Sequence, residues 1–177
     1  MRFLRNVLIF LAILAAGFVA VAYVLPREVP VERSILIDAP PEAVFPFVNS
    51  LQRGAEWSPW LGIDPDVRLG YAGPPEGVGN RLVWASDHPD VGNGSQEITR
   101  SIPNERVESS LDFGDMGRAT AWLALAPEGA GTRVTWGLVA DMGRNPVGRW
   151  MGLMMDEWVG ADYERGLASL KTLIEGG

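Results

Sequence analysis

The sequence predicts an α+β domain in which a curved antiparallel sheet of about seven strands grips a long C-terminal helix, preceded by one transmembrane helix. Three observations carry this. Behind Arg2 and Arg5 lies an uncharged run from Val7 to Leu25. Between residues 67 and 140, period-two segments alternate with Gly, Pro and Asn joints of hairpin length. After Asn145-Pro146 a helical period sets in and lasts to about Ile174.

The Val7–Leu25 run reaches roughly 28 Å at about 1.5 Å per residue, against a hydrocarbon core of about 30 Å. The cationic flank before it keeps the N-terminus in the cytoplasm and exports the rest, to the periplasm in a Gram-negative cell. Ala20-Val21-Ala22 also fits a signal-peptidase site. The run is longer than the ~7–15 apolar residues of a secretory signal, so an uncleaved single-pass anchor is expected. Residues 1–25 are read as the anchor, 26–30 as a linker punctuated by Pro26 and Pro30, and 31–177 as one domain.

The elements follow in order. Val31–Asp38 reads as a strand. Asp38-Ala39-Pro40-Pro41 opens a helix, with Glu42 at its positive end and Val44, Phe45, Phe47 and Val48 at helical spacing. Leu51–Trp57 reads as a second short helix stopped at Ser58-Pro59. Strands are then expected over Val67–Tyr71, Gly79–Ser86, Ser95–Ile102, Arg106–Phe113, Arg118–Leu125 and Thr132–Ala140. Their joints are residues 73–77, 87–94, 103–105, 114–117 and 127–131, which makes the sheet mostly a meander. In the last helical region Val159, Tyr163, Leu167, Leu170 and Ile174 form one stripe. Trp150, Met154 and Trp158 form another, pointing elsewhere, so a break near 155–158 is expected. Two short helices cannot seal the concave face of such a helix-grip sheet, and a cavity is expected beneath the terminal helix.

Charge and composition exclude several functions. The chain holds 15 Lys+Arg and 22 Asp+Glu, a net charge of −7. Arg2, Arg5, Arg27 and Glu28 lie before residue 31, so the domain itself carries −9. A nucleic-acid partner is excluded, since phosphates need a basic face. An anionic bilayer surface would repel the domain, so any lipid recognition must rest on an apolar pocket. With no Cys and one His, disulfides, a Cys nucleophile and thiolate or multi-histidine metal sites are excluded. No metal or cofactor is expected. Gly77-Val78-Gly79 precedes a strand and is not a dinucleotide loop, and no Gly-x-Ser-x-Gly elbow is present.

Several segments resemble the SRPBCC superfamily, which includes START lipid-transfer domains, birch-pollen-allergen-like proteins and polyketide cyclase/dehydrase-like proteins. VERSILIDAPPEAVFPF (31–47) is similar to the first strand, Ala-Pro turn and first helix of that superfamily. Trp57-Ser58-Pro59-Trp60 with Asp64-Pro65 resembles its second-helix motif. YAGPPEGVGNRLVW (71–84) and GAGTRVTW (129–136) look like two of its hairpins. Residues 151–175 resemble the terminal helix of its membrane-anchored, polyketide-cyclase-like branch. Gly54 departs from the pattern, standing where members often carry a bulky residue. The resemblance spans about 31–175 and implies an apolar cavity for a hydrophobic ligand.

Seven Trp and six Met suit a cavity that accepts variable apolar shapes, though each also suits a plain core. Trp84, Met155, Trp158, Val159 and Tyr163 are the expected lining, with Trp57 at the entrance. Gly160 and Gly166 inside the terminal helix cost about 1 kcal/mol each relative to Ala, which close packing or ligand room could offset. The first functional expectation is a membrane-anchored module binding a hydrophobic small molecule or lipid. The second is a cyclase or dehydratase with Asp156 or Glu97 as acid/base. Asp156 on a continuous helix would be buried with a raised pKa; a break would turn it to solvent. Glu97 shares a polar strand face with Ser95, Thr99 and Ser101, opposite Ile98 and Ile102. A third is a protein-interaction module with a vestigial cavity. His88 with Asp87, Asp90 and Asn93 reads as a solvated turn ahead of a general base or weak cation site. Asn93-Gly94-Ser95 fits a glycosylation acceptor weakly.

Overall fold

The computed structural model describes residues 2–114 and 117–176. Asp115 and Met116, within the joint expected at 114–117, lie outside the described residues, as do Met1 and Gly177. Helix α1 spans Arg2–Ala22 and is long and apolar enough to cross a membrane or serve as a signal sequence. Its side chains are exposed until Ala22, which the domain buries completely.

Strand β1 (Glu28–Ile37) begins inside the expected linker, because Glu28, Val29 and Pro30 already pair with Asp141, Ala140 and Val139. Pro30 is tolerated because β1 is an edge strand. Helix α2 (Pro41–Val48) starts on proline and buries Val44 and Val48. Helix α3 is a single turn, Leu51–Gly54, shorter than expected. Glycine, the poorest helix former after proline, stands at its end.

The sheet continues through β2 (Arg68–Ala72), β3 (Arg81–Ala85), β4 (Asn93–Ile102), β5 (Arg106–Asp112), β6 (Arg118–Glu128) and β7 (Gly131–Asp141). All seven strands form one antiparallel sheet in the order β1-β7-β6-β5-β4-β3-β2. Cross-strand pairing assigns the faces. Val31, Leu138, Ala121, Ser109 and Ile98 stand opposite one another across five strands and look inward. Between Ile98 and Arg100 the register shifts, so a bulge re-aims β4. Beyond it Ser101 faces inward, donating to Asn49 Oδ1 at 2.7 Å, and Ile102 faces outward. This corrects the strict alternation read for that strand.

The break in the last helical region falls at Leu153–Met154, between α4 (Pro146–Gly152) and α5 (Met155–Glu175), just before the expected point. Helix α5 buries Tyr163, Leu167 and Leu170 against the sheet. Each such side chain contributes about 1.5–3 kcal/mol of apolar burial. The helix rides chiefly on β1 and touches β7 less. Buried Asn80 ties the short helices to the sheet. Its Oδ1 accepts from the Leu51 N–H and its Nδ2 donates to the Pro74 carbonyl, both at 2.7 Å.

Candidate functional site

The middle of the grip is aromatic. Trp136 on the inner face of β7 stacks on Tyr163 of α5, with centroids 4.0 Å apart and planes 7° apart. Trp57 and Trp60 meet Trp136 edge-on at 5.0 and 5.7 Å, and Trp60 also meets Tyr163 at 6.0 Å. Both indole N–H groups are used: Trp57 donates to the Phe47 carbonyl at 3.2 Å and Trp60 to Asp162 at 2.7 Å. Gly166 lets α5 settle on this cluster. A β-carbon there would stand 2.7 Å from Trp136 Cζ3 and 3.1 Å from Pro59 Cδ.

Tyr163 is 2% exposed, and burial pushes its hydroxyl pKa far up. That hydroxyl makes no hydrogen bond among the described residues. No fully enclosed side-chain polar atom there is left unpaired, so the phenol tip keeps a residual opening to solvent.

Toward the β2 edge the inner face is open. Leu69 and Tyr71 pair with Trp84 and Leu82, share their face and remain exposed. Partial burial raises the Tyr71 pKa. Trp84 is half-buried, meets Phe113 edge-on at 5.9 Å and donates to the Val91 carbonyl at 3.4 Å. It lies over Gly94, where any side chain would collide with the indole. Two surface hollows lie outside the grip. One, of about 680 Å³, is bordered by Pro41, Pro103, Arg106 and Pro127. The other, of about 280 Å³, holds Arg81, Glu97, Asp112 and Arg118 on the outer face.

The expected lining residues therefore part company. Trp57 and Tyr163 come together through Trp136. Met155 and Val159 are half-buried against the core, and Trp84 sits apart at the other end of the sheet. Trp158 is exposed. Five residues before Tyr163 it lies about 140° round the helix, away from the sheet. Trp60 and Trp136 were not in the expected lining, although Trp136 alternates with Val134 and Leu138 along one strand face.

Neither carboxylate proposed as acid/base faces the apolar interior. Asp156 lies in the first turn of α5, with its side chain 65% exposed, and bonds the Arg33 guanidinium at 2.9 Å. The hydrogen bond from Arg33 lowers its pKa, opposite to the rise expected on a buried face. Glu97 pairs across the sheet with Arg81 and Ser110 on the outer face. The His88 segment is a closed turn. His88 Nδ1 accepts from the Asp90 N–H at 3.2 Å, and Asn93 Oδ1 accepts from the Ser86 N–H at 3.0 Å.

The family model described as "Polyketide cyclase / dehydrase and lipid transport" matches residues 28–175. Among solved structures, Ara h 8.0201 aligns with a TM-score of 0.62 at 12% identity, over 85% of this chain and 99% of that one. The Staphylococcus aureus protein SA2116, of unknown function, aligns with a TM-score of 0.63 at 11% identity, over 84% and 94%. The di-domain ARO/CYC StfQ of the steffimycin biosynthetic pathway aligns with a TM-score of 0.62 at 13% identity, over 84% of this chain and 51% of that one. At these identities the likeness is one of fold, and it fits the helix-grip architecture. No curated protein matches the chain in sequence.

Proposed function

The chain belongs to the polyketide cyclase/dehydrase and lipid transport family, and on that premise we propose that it is a membrane-anchored module holding a hydrophobic small molecule or lipid between sheet and terminal helix. The observation that carries this reading is the Tyr163 hydroxyl, a polar tip without a hydrogen-bond partner among the described residues on a ring otherwise buried against Trp136 and Trp60. A hydroxyl open at its tip on a packed ring can donate to or accept from an incoming polar group. An apolar ligand with one polar head, such as a lipid or a quinone-like ring, would bond it, and the inner face at Leu69, Tyr71 and Trp84 offers further apolar surface several strands away. Met155 and Val159 supply adaptable apolar surface near the start of α5. In this reading α1 is an uncleaved anchor, the N-terminus is cytoplasmic and the domain is exported. The placement of Asp156 and Glu97 gives a cyclase or dehydratase reaction no support.

Native mass spectrometry of the full chain from mild detergent tests the proposal. A stoichiometric apolar adduct that weakens in Tyr163→Phe supports it. An empty protein that also rejects a panel of lipids and quinones overturns it. The same spectrum reports whether residues 1–22 are retained.

A further inference from the structure

Helix α4 is held against the end of α1 by several contacts. The Trp150 ring stacks on Phe18 at 5.2 Å, and its N–H donates to the Phe18 carbonyl at 3.2 Å. Arg149 Nη1 donates to the carbonyls of Tyr23 and Leu25 at 3.3 and 3.1 Å. The Tyr23 hydroxyl donates to the Arg144 carbonyl at 3.4 Å. Phe18 lies four residues before the end of α1, about 6 Å below it along the axis. If α1 spans the bilayer, α4 therefore sits at the level where hydrocarbon meets headgroups.

The surface that α4 and its turn into α5 present there is apolar. Val147, Met151, Leu153, Met154 and Trp158 are 41–59% exposed. Residues 142–158 balance Arg144 and Arg149 against Asp156 and Glu157, of which Asp156 is paired with Arg33, in a domain whose net charge is −9. The general repulsion of the domain by anionic lipid is thus locally absent. Trp and Tyr beside Arg form the composition that settles at a membrane interface, and amphipathic helices bury about 5–10 Å into that zone.

We propose that α4, the Leu153–Met154 turn and Trp158 form a wedge inserted into the lipid surface, which fixes the start of α5 against the bilayer. The occupant of this exposed apolar face is the leaflet into which α1 emerges. The inference rests on the anchor reading above and adds an orientation to it. A ligand leaving the membrane would then meet the start of α5 without crossing water.

The chain has no Cys, so single cysteines can be labelled cleanly. The full chain is prepared as Ile13→Cys, Leu153→Cys and Ala130→Cys. Position 130 lies in the turn before β7, about 36 Å along that strand from Asp141. Each variant is labelled with a small fluorophore in phosphatidylcholine nanodiscs carrying doxyl-labelled lipid. The expected result is lipid quenching at 13 and 153, with iodide quenching severalfold weaker at 153 than at 130. Iodide quenching at 153 equal to that at 130, with 13 still quenched by lipid, overturns the wedge and leaves the anchor standing. Loss of lipid quenching at 13 overturns both.

Discussion

The Arg33 guanidinium occupies the space that a β-carbon on Gly160 would fill. Arg33 sits on the inner face of β1 opposite Trp136, yet its head runs under α5 and bonds Asp156 and Glu164 at 2.9 Å each. The two glycines of α5 thus have different reasons to be small. At 160 the obstacle is the far end of a flexible side chain. At 166 it is an indole and a proline.

These neighbours predict opposite tolerance. In Gly160→Ala the guanidinium swings out, surface ion pairs of little value are lost, and helix propensity compensates, for a net change within about 1 kcal/mol. Gly166→Ala drives a methyl into rigid groups and costs about 1–3 kcal/mol. Thermal unfolding of the full chain in detergent, followed by circular dichroism, separates the two; equal losses would refute the assignment.

Tyr163 predicts a split between size and polarity. Tyr163→Ala empties the stack on Trp136 and lowers stability by about 3–5 kcal/mol. Tyr163→Phe keeps the ring and removes only an unpaired hydroxyl, so stability changes by less than about 1 kcal/mol. Urea midpoints of the two variants check this.

Asn80 serves two buried backbone groups at once. Asn80→Ala strands the Leu51 N–H and the Pro74 carbonyl and costs about 2 kcal/mol or more. Faster amide exchange at Leu51, measured by hydrogen exchange, accompanies the loss. Unchanged exchange there would mean that water replaces the side chain freely.

Asp141 predicts a pH dependence. Hydrogen bonds from Arg27 and the Gly143 N–H hold its pKa at about 2, below the ordinary 3.8. A depressed carboxylate stabilises the fold above its unfolded pKa and loses that contribution as pH falls through the folded one. Asp141→Asn is therefore expected to be less stable than wild type at neutral pH, with the gap closing between 3.8 and about 2. Melting curves across that range show it. A gap independent of pH would assign the effect to packing.

Local pattern made most of the fold legible. Alternation and hairpin joints in residues 67–140 mark six strands, and the stripe from Val159 to Ile174 marks the buried face of α5. What stayed hidden depends on distant partners. Arg33 reads as an ordinary strand cation until α5 brings Asp156 and Glu164 to it. Asn80 reads as a turn residue until Leu51 arrives. The bulge at Thr99 breaks a period of two that a one-dimensional reading extends unbroken, and so places Ser101 and Ile102 on the wrong sides. Trp57 and Tyr163 were legible as large aromatic side chains of the interior because bulk and helical spacing suffice. Trp158 was not separable from them, because its direction depends on how α5 lies on β1.

The ladder between β1 and β7 joins the N-terminal helix α1 to the rest of the domain. Glu28 opposes Asp141 and Ile37 opposes Thr132, with ten residue pairs in register, and the Arg27–Asp141 ion pair stands at the loaded end. A tug on α1 directed along β1 therefore acts in shear and strains the ten pairs together instead of unzipping them singly. The joint between α1 and the domain is built to resist pulling, and a load applied through α1 is borne by the sheet before it reaches the aromatic grip.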